Sequence, residues 1–497
     1  MSTKVAIRAE KLRRIRAGAK PRLLELCSGC GGMSLGFAAA GFSLEAHVES
    51  DPIAAQSYAL NFAPPPGVTR EVWAAPRDMV DQSAEDVVKE FGITSPTAEA
   101  FDVVAAGLPC QAFARIGRSK LRSLAGDADA FRNDARAKLY KRFLDYVEAV
   151  QPAAIVIENV PDILNFGGHN VPEEICETLE DSGYLTGYTL LNAAFYGVPQ
   201  VRERLFLIAI DRSLGIRPGM PAAIRNTDLP SGYAGARTVA LRHVPTNTGR
   251  FLELQQAQDG LPPAVSVREA LADLPWISEH FRDPVAMRRR KVADELPYRE
   301  HSGLSDYARL MREWPGFCTG GVVSGNVVRL TPRDFPIFRR IPVGADYPQA
   351  LRIAEEIFAE RINAKRQRPR RGSRAWKELH AECVPPYDPG KFPNKWWKLD
   401  PRLPSRTLTA HMGKDTYSHI HWDSRQQRTI SVREAARLQS FPDGFLFAGA
   451  MNAAFRQIGN AVPPLLAQAV AERLRKELMT MPAGEAARKA APEIMAA

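Results

Sequence analysis

Four short and almost wholly apolar runs constrain the fold of this chain more than any other feature: Leu23-Leu-Glu-Leu26, Phe101-Asp-Val-Val-Ala-Ala106, Ala154-Ile-Val-Ile157 and Leu205-Phe-Leu-Ile-Ala-Ile210. Runs this short, without apolar/polar alternation, predict strands buried on both faces. Helical spacing separates them, as in Met33–Ala40 before Gly41, Pro52–Phe62 and Lys138–Val150, where Leu139, Phe143, Tyr146 and Val147 share a face. Strands alternating with helices over residues 22–210 predict an α/β protein with a doubly wound sheet and hairpin-like strands at its end.

Open α/β sheets bind ligands beyond the carboxyl ends of their strands. Two of the runs end in reactive groups there, one at Gly107-Leu-Pro-Cys110-Gln111 and the other at Glu158-Asn159-Val160-Pro161. An isolated cysteine is more often a buried small hydrophobe. Its position makes Cys110 a candidate nucleophile, with Glu158 its neighbour in one crevice. After Gln111 the sequence is polar to Asn133, as in a lid. A third strand end, Leu26, runs into Cys27-Ser-Gly-Cys-Gly-Gly32, whose glycines permit a tight turn and close approach to a ligand. A further strand, Ser43–Val48, ends at Glu49, where a carboxylate can accept both hydroxyls of a ribose. Together these predict an adenosine-bearing cofactor, either a dinucleotide or S-adenosylmethionine.

The formal charge is +10, which favours a polyanionic partner, although a solvated basic surface would account for it equally well. Six scattered cysteines form no disulfide framework, and Cys27 and Cys30 lack the second pair that a four-ligand zinc site needs, so no metal is expected. The sequence shows neither a secretory leader nor an 18-residue apolar stretch, and the expectation is a soluble protein of a reducing cytoplasm. From 212 to about 400 the chain is irregular and rich in Pro and Arg, with Arg288-Arg-Arg-Lys291 and the cluster Lys365–Arg374 beside Trp376, Trp396 and Trp397. Such sequence suits phosphate contact and groove binding. Ser431 with Glu434 predicts a capping box, and Ile458–Pro464 is expected to open a last amphipathic helix reaching Leu474.

The glycine turn, Pro109-Cys110-Gln111, Glu158-Asn159-Val160, Gln200-Val-Arg-Glu-Arg204, Arg437-Leu-Gln-Ser-Phe-Pro442 and Gly459-Asn-Ala-Val462 occur in one order. In that order they resemble the cytosine-C5 DNA methyltransferase family, over residues 21–211 and about 400–475. The resemblance implies a Rossmann-like doubly wound sheet of the class I S-adenosylmethionine methyltransferases with a smaller target-recognition domain. The implied division is a basic tail at 1–20, a catalytic domain at 21–211 plus 455–478, a target-recognition domain at 212–454 and a flexible tail at 479–497. The implied substrate is cytosine in a specific duplex DNA sequence, methylated at C5 after flipping out of the helix. Cys110 would attack C6 and Glu158 would serve N3, with Gln111 and Asn159 beside them. Arg204 would contact the base and Arg202 would support the acid.

Implied contacts to S-adenosylmethionine are Leu26, Cys27, Ser28, Gly29, Gly31, Gly32, Glu49, Ser50, Asp78, Met79, Pro109, Leu139, Asn460 and Ala461. Cys27 stands where many members have Phe, and Ser50 where many have Trp. The adenine would then rest on Leu26 and Met79, with weaker binding. Ala114 replaces a frequent Ser in the lid, whereas Gly117 matches it. The resemblance leaves room for a separately encoded restriction endonuclease, and it implies a monomer acting on DNA away from membranes. Methylation of tRNA on the same scaffold, or catalytically silent DNA binding, are the alternative readings.

Overall fold

The computed structural model describes residues 3–109, 135–166, 168–230, 232–254, 260–300 and 303–480, with side chains between 135 and 138 left aside. Along the chain run α1 (Thr3–Arg16), β1 (Arg22–Leu26), α2 (Gly32–Ala39), β2 (Ser43–Val48), α3 (Pro52–Asn61), β3 (Val103–Ala106), α4 (Ala135–Val150), β4 (Ala154–Asn159), α5 (Val171–Asp181), β5 (Tyr184–Asn192) and β6 (Glu203–Asp211). Beyond them lie β7 (Leu296–Pro297), β8 (Val322–Val323), α6 (Tyr347–Asn363), α7 (Arg374–Ala381), α8 (Val432–Leu438), α9 (Met451–Asn460) and α10 (Pro464–Met479). Other helices and helical turns connect them. No described helix is long and apolar enough to cross a membrane.

The chain divides into two compact units. The first comprises residues 1–197, 202–263 and 461–497 and holds a six-stranded sheet of order β2-β1-β3-β4-β6-β5. The four strands from β2 to β4 are parallel, and β6 and β5 close the sheet antiparallel, the hairpin-like end expected from the sequence, although β5 itself was not among the apolar runs. Every residue of β3 and β4 is buried, which is why those runs show no alternation. Asp51 caps α3 by accepting from the N–H groups of Ile53 and Ala54, with Pro52 in the first turn. Helices α2 and α10 approach closely at Gly36, where a Cβ would lie 2.5 Å from the backbone nitrogen of Gln468.

Two features of this unit differ from the sequence expectation. Where a basic tail was expected, residues 3–16 form α1, held by its charges. The Lys11 ammonium donates to the carbonyls of Phe101, Val150 and Gln151, two of them at the end of α4. Arg8 pairs with Asp211 at 3.1 Å, both buried, while Leu12 and Ile15 add apolar contact. The unit also takes in residues 212–263. Their segment around Phe251 bridges the edge strand β5, with Tyr188 N–H donating to Arg250 O at 2.8 Å and Leu252 N–H to Tyr188 O at 2.9 Å. Arg250 further binds Glu173 at 2.6 Å and Glu180 at 2.8 Å on α5.

The second unit comprises residues 198–201 and 264–460. Its short helices surround an aromatic core that includes Phe338, Tyr347, Phe358, Trp396 and Tyr417. Helix α8 carries the capping box read from the sequence, with Glu434 N–H donating to Ser431 Oγ and Ser431 N–H to Glu434 Oε2. It also buries Arg433 and Arg437. Arg437 is clamped between Asp443 at 2.6 Å and Asp273 at 3.0 Å, an arrangement that compensates the cost of taking a guanidinium out of water. The expected single helix from Ile458 to Leu474 is two helices. Gly459 and Asn460 finish α9, and Pro463 and Pro464 interrupt the ladder before α10.

Asp102, just before β3, has a fully buried carboxylate that accepts from Arg22 N at 2.7 Å and from the Arg14 and Arg22 guanidiniums. Asp102→Ala is expected to cost about 2–4 kcal/mol, toward the lower end for a broken buried pair because both arginines keep some water contact. Urea unfolding followed by circular dichroism measures it.

Candidate active site

The parallel register sets Ala106 of β3 against Ile157 of β4, so both strands end together. Gly107, Leu108 and Pro109 leave β3 beside Glu158 and Asn159. Asn159 joins the two ends: its Nδ2 donates to Leu108 O at 2.9 Å, and its Oδ1 accepts from Val160 N–H at 2.8 Å. One amide side chain thereby holds the segment that leads into Cys110. Cys110, Gln111 and the expected lid through Asn133, with Ala114 and Gly117, lie outside the described residues.

Glu158 is buried, and its Oε1 lies 3.1 Å from Arg204 Nε. Burial raises its carboxyl above the ordinary carboxylate range, against the opposing pull of Arg204 and Arg202. The pairing follows from strand geometry. Glu158 is opposite Phe206 in the antiparallel β4–β6 ladder, and Arg204, two residues from Phe206, is its diagonal neighbour on the same face. Arg204 therefore holds an ion pair with the acid, and Arg202, expected to support it, adds a second favourable charge to the carboxylate. Arg202 is fully buried, one step further out, and donates from Nη2 to Ala461 O at 3.1 Å. Desolvation lowers its pKa well below the ordinary guanidinium value.

At the end of β1 the glycine turn meets the end of β2. Ser28 N–H donates to Val48 O at 3.1 Å, and Gly29 N–H to Glu49 Oε2 at 2.7 Å. Asp51 N–H donates to the other carboxylate oxygen at 2.8 Å. A carboxylate has about four acceptor sites, so Glu49 keeps lone pairs for a diol. Gly31 caps α2 with φ of 96°, and a Cβ there would lie 2.3 Å from the Phe62 ring, so only glycine fits. A Cβ on Gly29 would enter open space beside Glu49, room that a bound group can use. This donor set and its open cradle fit an adenosine-bearing cofactor.

Around the turn, Cys27 is half-buried with φ of 54°, and its Sγ lies 3.6 Å from Met79 Sδ. Met79 is 2 % exposed and Leu26 is closed off within the sheet, while Ser50, Asp78 and Pro109 are exposed and Leu139 is half-buried. Asn460 is exposed at the end of α9 in the second unit, and Ala461 begins the last segment of the first.

Sequence reading missed His47. Its Nε2 lies 2.8 Å from Trp73 O, and because a carbonyl only accepts, that nitrogen carries the proton. Burial drives the imidazole pKa down to about 3, so the ring is neutral and Nδ1 accepts from Ser28 Oγ at 3.1 Å. The ring also stacks on Tyr58 at 3.7 Å. His47 thus fixes the glycine turn from below. The only available signal was a polar residue at the buried end of a strand, two positions before Glu49. In the second unit Gln200 is likewise structural, donating to Leu438 O at 3.1 Å and accepting from Leu408 N–H at 2.8 Å.

Comparison with known proteins agrees with this geometry. The family model described as C-5 cytosine-specific DNA methylase matches residues 22–271 and 337–476. A protein of Oceanobacillus iheyensis, named as the type II methyltransferase M.OihORF3336P, is 38% identical over 92% of this chain and 96% of its own length. The type II methyltransferase M.AgeI of Thalassovita gelatinovora is 30% identical over 91% of this chain and 99% of its own. Among solved structures, a DNA modification methyltransferase encoded within an Escherichia coli prophage shares the fold, with a TM-score of 0.56 at 20% identity over 93% of this chain and all of that one. The model's span, most of the chain including both strand ends that carry the candidate residues, makes this chain a member of the C-5 cytosine-specific DNA methylase family.

Proposed function

We propose that this DNA cytosine-5-methyltransferase acts on a cytosine extruded from a specific duplex sequence, through a transient bond between Cys110 and C6. The observation that carries the proposal is the Asn159 hydrogen bond to Leu108 O, which sets the Glu158 carboxyl alongside the chain entering Cys110. S-Adenosylmethionine, the methyl donor of the family, supplies an electrophilic methyl group when bound. Glu49 would hold its ribose, the turn from Cys27 to Gly32 would follow its amino-acid end, and Asp78, Met79 and Cys27 would border its adenine.

Cytosine C5 is too weak a nucleophile to be alkylated directly. Attack of the Cys110 thiolate on C6, with a proton passing from the Glu158 carboxyl to N3, turns C5 into an enamine carbon. After alkylation, transfer of the C5 proton to solvent water expels the Cys110 thiolate and restores the C5–C6 double bond, and the N3 proton returns to Glu158. Glu158 must hold a proton near neutrality, and burial supports that state. Arg204 limits the shift and orients the carboxyl. A stacked base cannot offer C6 to a thiol, so the base leaves the helix. The type II names of the relatives support a role in restriction–modification, with a separately encoded endonuclease. They also support duplex DNA over tRNA, as does the size of the second unit, which a sequence reader needs.

Labelling, covalent trapping and substitution test this reading. Tritiated S-adenosylmethionine is expected to label duplex DNA and not tRNA, and a duplex carrying 5-fluorocytosine at the modified position is expected to be trapped covalently by the wild type and not by Cys110→Ala. Label in tRNA alone would overturn the substrate. Glu158→Gln is expected to lower kcat/KM on the order of 10²–10⁴-fold. Because the folded carboxyl is raised, its proton persists above the ordinary range and is lost as pH rises through the shifted value. Wild-type activity should decline along that limb, and the glutamine variant should not show it. Asn159→Ala leaves Leu108 O without its side-chain donor and is expected to cost about 1–3 kcal/mol of stability. Its kcat and trapping yield should fall while the KM for S-adenosylmethionine holds.

A further inference from the structure

The basicity of this chain is concentrated in one helical hairpin. Between Arg361 and Lys377 there are eight lysines and arginines and no acidic residue. Ten formal charges less these eight leave +2 for all the rest. The segment is the end of α6, the loop and the start of α7. Aromatic contacts fix its two arms: Phe358 of α6 meets Trp376 at 5.1 Å and His380 at 4.8 Å on α7, and His380 Nε2 lies 3.2 Å from Glu355. Ile357, Phe358, Leu379 and Cys383 continue into the core of the second unit. The loop between the arms is thus presented from a packed base.

Arg374 of this segment pairs with Glu378 at 2.7 Å, but five of its other cations differ from several surface arginines of the same unit. Arg340, Arg402 and Arg425 each pair with a carboxylate at 2.7–2.8 Å, to Glu360, Asp400 and Asp423. Lys365, Arg366, Arg368, Arg370 and Arg371 are exposed and have no ion-pair partner among the described residues. Arg268, Arg288, Arg289, Arg339 and Arg352 are also exposed without an ion pair among the described residues, but the hairpin loop gathers five such cations within residues 365–371. No hydrogen bond among the described residues fixes these five side chains in the orientation that bidentate reading of a base edge requires.

We propose that the α6–α7 hairpin is the phosphate clamp of this enzyme, gripping the duplex DNA backbone by charge and leaving sequence choice to other parts of the second unit. The proposal rests on the reading of duplex DNA as substrate. Each phosphate contact contributes about 0.9 to the slope of log K against log salt.

The test replaces Lys365, Arg366, Arg368, Arg370 and Arg371 with Gln in the full chain. Binding is measured from low to moderate salt on a duplex containing the sequence that bisulfite sequencing of host DNA identifies, on a scrambled duplex, and on tRNA. The slope on both duplexes is expected to fall by up to ~4.5, with affinity dropping at least about tenfold at low salt and the ratio between duplexes preserved. Arg402→Gln, an exposed and paired arginine of the same unit, is expected to leave the slope unchanged. An unaltered slope, a collapse of the ratio between duplexes, or a loss confined to tRNA would each overturn the clamp. Wild-type methyl transfer to duplex DNA, followed in parallel, separates these failures from failure of the substrate assignment. If the wild type labelled no duplex, that assignment would fall first.

Discussion

The site depends on one pairing, the parallel register that sets Ala106 against Ile157. Both strands are covered on both faces, so neither can slip without moving apolar side chains into the wrong layer. With the register fixed, Leu108 and Asn159 fall within hydrogen-bond reach and Glu158 becomes the diagonal neighbour of Arg204 across β6. The carboxyl is thereby held in a buried position beside a cation that tempers its ionisation. The candidate residues sit on strand ends, where strand packing supplies a precision that a loop alone would not.

Desolvation sorts the charges of this protein into three uses. Some basic groups are consumed internally: Lys11 and Arg8 dock α1, and Arg437 between Asp273 and Asp443 ties α8 to its surroundings. These are costly to bury and therefore fully engaged. Arg202 and Arg204 lie beside the acid at the strand ends, where burial depresses both guanidinium pKa values. Five cations of the hairpin loop, Lys365, Arg366, Arg368, Arg370 and Arg371, remain exposed without carboxylate partners among the described residues. Net charge alone does not separate these uses, since the same +10 would arise from any distribution.

The sheet was legible because two-sided burial writes itself into sequence as unbroken apolar runs, and helix α8 because its capping chemistry, Ser431 with Glu434, is local. The glycine turn and Glu49 were legible for the same reason, since φ of 96° at Gly31 admits little else. Residues 3–16 were misread as a tail because Lys/Arg-rich sequence looks solvated until the carbonyls that receive it are known. His47 was passed over because its partners, Ser28 and Trp73, lie 19 and 26 residues away. The ion pair between Glu158 and Arg204 was not read either, because it turns on a diagonal across β4 and β6.

Sequence by itself determined the order of strands and helices, the turn that only glycine can make, and the residue types able to carry out methyl transfer to cytosine. Those properties follow from local backbone preference and side-chain chemistry, which each residue carries wherever it is placed. Only the tertiary structure decided which arginine meets Glu158, which carbonyl Asn159 holds and which basic residues stay free of carboxylate partners. Pair distances and desolvation arise from the packing of segments far apart along the chain, and no single stretch contains them.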